Sequence, residues 1–496
     1  MIKKILNKKF DIAVILIVLL AAFLRFVDYG NRWGLAYDQA HDAILARYAV
    51  NNLQFPLVGP FASGAQFQTS GIWYWFLMVA TIVYQNSVLT PWIIMSISYV
   101  GFVFLMILIG KELMNKELGL LTGFLTAIST AQITQSTNLT LTAPMCFVSA
   151  LAILSIIKYS KTSHKKFLFL LGLSCGLAPT IHLQGVLLVL LLPVFVVFFK
   201  IKNPKLLGII LIGILLPLIP LLIFDLKNNF VNSLGLLNYL LVAQYKTSYQ
   251  VLGRRWLTYL AVFWPKSWAL VIGGYSIIAY LSVFIFAAAL VNKFLKKDLN
   301  KVWLTLVVSF AVIITAMRYV RNPLFDSYLV FLHPFILLFT ALAIFWLYKK
   351  NVYLGLLFLA VISIGSFRQD YLSIAGATNN TYLQAQKMET ALVNDAPNKK
   401  FTFYDFEYRT SSLSVPLTML LYKDNKISDN GIKVGMLYST VSAKPIFPKI
   451  YGGKTGYQIL NLNSSTSAEL LKTGWILTNP SKIYNSTENW YYSTSR

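Results

Sequence analysis

The amino-acid sequence predicts an all-α polytopic membrane protein of about eleven transmembrane helices, with a small C-terminal α/β or mainly β extracytoplasmic domain. Three observations carry this expectation. The 496 residues are 57% hydrophobic and only 12% charged, against roughly 25% charged in an ordinary soluble domain, so most of the surface has to meet lipid. The apolar residues fall in runs that, with a few flanking residues, can cross a ~30 Å hydrocarbon layer. The net charge of +25 comes largely from short lysine clusters between those runs. That is the pattern of topology signals and of attraction to anionic headgroups, and it argues against nucleic acid as a partner.

The elements follow in order. Met1 to Lys9 is basic and leads into an apolar run without an Ala-x-Ala cleavage site, so it reads as a retained first helix rather than a removed signal peptide. Candidate spans are Ile12 to Val27, Pro91 to Gly110, Leu118 to Ile133, Leu141 to Ile157, Phe167 to Ile181 and Leu183 to Phe199. They continue at Leu206 to Phe224, Trp268 to Val291, Val302 to Met317, Tyr328 to Tyr348 and Val352 to Ser366. Lysines cluster at Lys3 to Lys9, Lys111 and Lys116, Lys158 to Lys166, Lys200 to Lys205, Lys293 to Lys301, and Lys349 with Lys350. With every cluster in the cytoplasm the positive-inside rule is satisfied, and the N-terminus is cytoplasmic in a plasma-membrane protein.

Gly71 to Val88 is apolar and aromatic, with Trp73, Tyr74, Trp75 and Tyr84. Counting it as a span would invert everything downstream, so it is expected to be a re-entrant or interfacial helix on the outer side, where Trp and Tyr rings favour the headgroup level. Residues 1–369 then form a transmembrane module whose first outer loop is 28–90. Residues 370–496, rich in Asn, Ser, Thr and Tyr, form an extracytoplasmic domain with strand-like runs at Lys400 to Tyr404 and Val434 to Tyr438. Cys146 and Cys175 both lie in apolar segments and read as packing residues, not as a disulfide or a metal cage.

With the threading fixed, the two faces differ in chemistry. The cytoplasmic loops are almost all Lys. The outer face up to Arg368 carries Arg25, Arg32, Arg47, Arg254, Arg255, Arg318, Arg321 and Arg368, with Lys227, Lys246 and Lys266. Guanidinium forks suit bidentate contact with phosphate. Arg25 and Arg368 fit helix-end anchors, whereas Arg254, Arg255, Arg318 and Arg321, paired near helix entries, fit either anchors or an anion site. Between Tyr29 and Gln369 the outer face has four acids: Asp38, Asp42, Asp225 and Asp326. Asp38 and Asp42 are spaced i,i+4 in Tyr37-Asp38-Gln39-Ala40-His41-Asp42-Ala43, so a helix there would put both on one face with His41 one step aside. That allows a general base with a helper. It equally allows Asp38 as an N-cap and Asp42 as a solvated first-turn acid.

The order of these features resembles the membrane glycosyltransferases of the GT-C fold, in particular the protein O-mannosyltransferase and lipid A aminoarabinose transferase group, glycosyltransferase family 39-like. The resemblance rests on Leu24-Arg25 ending the first helix, the acidic pair of the first outer loop, Gly59-Pro60 and Gly71-Ile72-Trp73-Tyr74-Trp75. It extends through Gly110-Lys111-Glu112-Leu113, Pro217 to Phe230, and Asp326-Ser327-Tyr328-Leu329-Val330-Phe331-Leu332-His333-Pro334, covering roughly Ile12 to Ser366. It implies transfer of a sugar from a polyprenyl-phosphate donor to an acceptor protein, lipid or glycan outside the membrane, as part of the cell envelope. An aspartate of the first outer loop acts at the acceptor in that group, and the matching position is Asp38, with Asp42 second.

The chain also departs from the pattern. Gln66-Phe67-Gln68-Thr69-Ser70 stands where many relatives have His-Pro-Pro or an acid, Gln132 to Thr140 has no acid, and Ser327-Tyr328 replaces a His-Tyr pair. These departures disfavour a metal-dependent, oligosaccharyltransferase-like site. No cofactor and no metal ligands are expected, although a divalent metal is left open. On this expectation Asp38, Asp42 and His41 are the catalytic candidates. Arg254, Arg255, Arg318, Arg321 and Lys266 take the donor phosphate, and Tyr37, His182 and His333 orient substrate. A transporter or lipid flippase and a non-catalytic membrane scaffold are the alternatives. Near-absence of ionisable residues from helix middles and lack of visible inverted halves weigh against transport.

Overall fold

A computed structural model describes residues 2–62, 67–246, 256–297, 300–320, 326–405, 413–428, 430–438, 450–451, 457–461 and 475–476. Arg254, Arg255 and Arg321 lie outside the described residues. The chain is an all-α polytopic membrane protein with a small α/β unit at its C-terminal end. Six helical stretches among the described residues are long and apolar enough to cross a bilayer: Thr90–Leu113, Met145–Thr162, Pro204–Lys227, Ser276–Leu295, Asp326–Lys350 and Val352–Asp395. Two of the expected runs are interrupted. Trp268 to Val291 breaks before the Ser276–Leu295 helix because Gly273 and Gly274 adopt φ of 80° and 77°, a left-handed conformation that glycine takes without a Cβ penalty. Leu118 to Ile133 divides into helices Lys116–Ala127 and Thr130–Ser136. There the Arg25 guanidinium, fully buried, donates to the Ala127 and Thr126 carbonyls at 3.1 and 3.3 Å, and Ser129 Oγ donates to Val271 O at 2.8 Å. Carbonyls orphaned at a helix end are thus satisfied inside the bundle.

Close helix contacts use small residues, as expected where lipid supplies no hydrophobic drive for association. Gly172 and Gly176 in Lys165–Ile181 face Pro204–Leu215 so closely that an added Cβ would lie 2.1 Å from Ile210 O and 2.4 Å from Ile214 O. Cys146 and Cys175 are buried free thiols.

Two faces of the bundle are distinguished by their contacts. At the C-terminal end of Thr90–Leu113, Lys111 and Lys116 lie over the Phe10 ring, 5.4 and 4.9 Å from its centroid. Next to them Glu112 pairs with Lys158 at 2.7 Å and Lys161 at 3.1 Å. At the N-terminal end of the same helix, about 36 Å away at ~1.5 Å per residue, lie the first loop and the C-terminal unit. Lys111, Lys116, Lys158 and Lys161 therefore share one face, and the first loop and the C-terminal unit share the other.

The Gly71 to Val88 segment stays on that second face. Its helix, Ile72–Val83, has 12 residues, about 18 Å and too short to span the hydrocarbon layer. Both its ends are tied to one helix, Tyr37–Asn51: Trp73 and Tyr74 at its start contact Asp42, and Gln85 and Ser87 beyond its end receive Arg47. Gly71 makes the entry, since a Cβ there would fall 1.9 Å from Pro56 O. A short hairpin, Val58–Phe61 with Gln68–Ser70, precedes it. The hairpin is held to the Val231–Asn238 helix by Asn232, whose Oδ1 accepts from Gln68 N at 2.6 Å and whose Nδ2 donates to Gln68 O at 3.2 Å.

After the span, Val352–Ala375 runs on through Asp370 and is followed by the Asn380–Asp395 helix. Strands Phe401–Asp405 and Ile432–Tyr438 then pair in parallel, from Phe401 opposite Ile432 to Asp405 opposite Met436. Helix Ser414–Lys423 lies in the crossover that a parallel pair requires. Tyr457–Asn461 pairs antiparallel to Ile432–Tyr438, with Ile450–Tyr451 beyond it, and Trp475–Ile476 borders Phe401–Asp405 on the other side.

Candidate active site

The first-loop motif folds into the Tyr37–Asn51 helix with Ala36, not Asp38, at its N-cap. Asp38 is exposed in the first turn, where the helix dipole favours a carboxylate. Tyr37 is half-buried beside it.

Asp42 is not the solvated acid that the sequence also allowed. It is 4% exposed, and its carboxylate accepts from Trp73 Nε1 at 2.7 Å, Tyr74 OH at 3.2 Å and His41 Nδ1 at 2.9 Å. His41, also buried, thus turns inward as a partner of Asp42. An unpaired buried carboxylate would be expensive, and the indole, phenol and imidazole donors remove that cost. Asp225 is likewise engaged: it accepts from Asn232 N at 2.9 Å, from Ser233 N at 3.1 Å and from Ser233 Oγ at 2.5 Å, fixing the start of Val231–Asn238. Of the four acids, Asp38 and Asp326 are the exposed ones.

The arginines sort in the same way. Arg25 caps Lys116–Ala127, as described above. Arg32 Nη1 donates to Leu24 O and Val27 O, both at 2.9 Å, closing the end of the Ile2–Phe26 helix. Arg47 donates to Gln85 O at 2.6 Å and Ser87 O at 3.2 Å. Burial draws its pKa below the ordinary guanidinium value, with Tyr422 and Asp424 opposing. Arg368 contacts the Tyr275 hydroxyl. Arg318 stands at the end of Lys301–Met317, its guanidinium 5.7 Å from the Trp256 ring and 6.0 Å from that of Tyr259. Lys266 is exposed on Trp264–Val271.

The Thr130–Ser136 helix and the residues after it join the remaining pieces. Gln39 Nε2 donates to Asn138 Oδ1 at 2.9 Å. In the same segment, Gln132 Nε2 is 2.6 Å from His333 Nδ1, which orients the otherwise buried His333. The His182 ring lies 4.6 Å from that of Tyr328. Tyr37, Asp38, His41 and Asp42 therefore occupy one helix, and Thr130 to Asn138 links that helix to His333. Asn138 and Arg47 as positioning groups, and Trp73 and Tyr74 as partners of Asp42, were not picked out by sequence reasoning. Among the described residues no three His, Cys, Asp or Glu side chains converge as metal ligands.

The comparison with solved structures bears on the fold directly. ArnT from Cupriavidus metallidurans, bound to undecaprenyl phosphate, superposes with a TM-score of 0.65 at 12% identity over 92% of this chain and 98% of that one. Its apo state gives 0.64 over the same coverage. The apo oligosaccharyltransferase of Archaeoglobus fulgidus gives 0.53 at 13% identity over 78% of this chain, which spans 58% of the length of that enzyme. No protein-family profile and no curated protein sequence matches this chain.

Proposed function

We propose that this protein transfers a sugar from a polyprenyl-phosphate donor to an acceptor protein, lipid or glycan on the outer face of the cell membrane. Asp38 is the general base. The N-terminus and lysine turns are cytoplasmic, and the C-terminal unit is extracytoplasmic. The observation that carries the reading is the contrast in burial between the two acids of one helix: Asp42 is buried against Trp73, Tyr74 and His41, while Asp38 is exposed, on the face opposite Lys111, Lys116, Lys158 and Lys161. The fold shared with ArnT, whose structure holds undecaprenyl phosphate, supports a polyprenyl-phosphate donor.

In this mechanism Asp38 takes the proton from the attacking acceptor, which bonds to the anomeric carbon as the carbon–oxygen bond to phosphate breaks. A single displacement of this kind inverts the anomeric centre. Arg318 and Lys266, with Arg254, Arg255 and Arg321, stabilise charge as it develops on the departing polyprenyl phosphate. Tyr37, His182 and His333 orient sugar and acceptor, and Asp42 with His41 supports Asp38. Asp38→Asn lowers transfer in membranes supplied with labelled polyprenyl-phosphate sugar by about 10²-fold or more. Wild-type turnover in that variant defeats the assignment.

A further inference from the structure

The C-terminal unit rests on the helix that carries Asp38, and it does so at two separate places. At the first, buried Asn379, the N-cap of Asn380–Asp395, donates from Nδ2 to the Trp33 carbonyl at 3.1 Å. The Tyr382 ring meets Trp33 edge-on at 4.8 Å, and Trp33 in turn packs on Trp92 at 5.0 Å. This contact fixes the chain just before Asp38. At the second, helix Ser414–Lys423 lies against Tyr37–Asn51, where Met419 and Tyr422 close a crevice with Ala43, Ile44 and Arg47. The Tyr422 hydroxyl hydrogen-bonds the Asn51 side chain, and Asp424 and Tyr422 face the Arg47 guanidinium. One unit thus brackets both ends of one helix.

That helix is also held by Asp42, which accepts from Trp73 and Tyr74, and by Arg47, which donates to the Gln85 and Ser87 carbonyls and so stands between the segment around Ile72–Val83 and Tyr422. That segment is itself a short surface element, with Val79, Ile82 and Val83 outward-facing. A helix fastened to a surface element along one flank needs a second support before a side chain in its first turn is fixed in space. General-base catalysis demands such fixing, since the base has to come within hydrogen-bond reach of the proton it takes.

We infer that the C-terminal unit is a positioning clamp for the Asp38 helix, so that transfer requires the unit docked. The inference rests on the reading of Asp38 as the base. Asn379 and Tyr382 are positioning residues, acting through Trp33 and the helix and not on substrate. The clamp also predicts that a membrane portion truncated after Asp370 is inactive, because Asn379, Tyr382 and the whole Ser414–Lys423 helix are lost with it.

The test uses the full chain in lipid nanodiscs, comparing wild type with the double variant Asn379→Ala, Tyr382→Ala, with Tyr422→Ala at the other contact, and with Tyr382→Phe. Hydrogen exchange is followed over 37–51 and over the strands 401–405 and 432–438, beside transfer kinetics. The double variant and Tyr422→Ala speed exchange over 37–51, leave the strands protected, and lower kcat by about 10- to 10²-fold with donor KM unchanged. Tyr382→Phe, which keeps the ring against Trp33, behaves as wild type. Unchanged exchange over 37–51 in both alanine variants overturns the clamp, as does faster exchange with wild-type kcat. Absence of transfer in the wild type would instead count against the reading of Asp38, while the exchange arm still decides whether the unit holds the helix.

Discussion

At the scale of single residues, the chain separates two acids that the sequence left equivalent. Helical spacing put Asp38 and Asp42 one turn apart, and both lie in the Tyr37–Asn51 helix. Their different surroundings were not legible, because the Trp73 and Tyr74 donors come from 31 and 32 residues further along the chain and no local rule pairs them. Asp42→Ala leaves an indole N–H and a phenol O–H without their acceptor in the interior, and should cost about 1–3 kcal/mol. Thermal unfolding in detergent checks this, with Trp73→Phe, which removes one donor and spares the carboxylate, expected to cost less. Asp38→Asn should leave the melting temperature within a degree or so of wild type, since the side chain is exposed in the first turn. A large drop there would show Asp38 to be a structural residue. The arginines carry the same lesson: their number marked a cationic face, but Arg25, Arg32 and Arg47 prove to be ligands of carbonyl groups. Whether a guanidinium meets phosphate or a helix end depends on which helices end beside it.

At the scale of elements, hydropathy located the helices and missed their interruptions. Leu118 to Ile133 reads as one apolar run, yet Arg25 and Ser129 satisfy the backbone at its middle, so the run divides at little cost. The break before Ser276 was legible in principle, since adjacent glycines supply it. The parallel pair Phe401–Asp405 and Ile432–Tyr438 was visible as two short apolar runs, but parallel pairing is a long-range choice that such runs do not encode. Gly172 and Gly176 let two helices approach along their backbones, and this contact makes a prediction at the same scale. Gly176→Leu forces side-chain atoms into the Ile214 carbonyl and should destabilise the bundle by more than the roughly 1–3 kcal/mol typical of overpacking. Size-exclusion profiles and melting curves in detergent would register it, and a monodisperse variant of unchanged melting temperature would refute the close approach.

At the scale of the whole molecule, the threading decides what can react with what. Glu112 gathers Lys158 and Lys161 on one face, and Arg47 gathers Gln85 and Ser87 on the other. Cysteines placed at the exposed positions Gln85 and Ser160 should therefore differ in intact cells, the first labelled by an impermeant maleimide and the second protected. Equal labelling of both would discard the arrangement. The parity of the sequence-based topology turned on Gly71 to Val88, whose helix has 12 residues, fewer than a crossing needs, with both ends against one neighbour. The same helix has a mechanical consequence. Val79, Ile82, Val83 and Tyr84, each 56–66% exposed, give it the apolar outer face of a float, the kind of surface that seats at the headgroup level. Asp42 and Arg47 couple the Tyr37–Asn51 helix to that float, so a base carried on that helix would follow the waterline of the membrane. In vesicles graded by acyl-chain length, turnover should peak at one thickness and fall on either side, and a flat response would show that the float carries no such coupling.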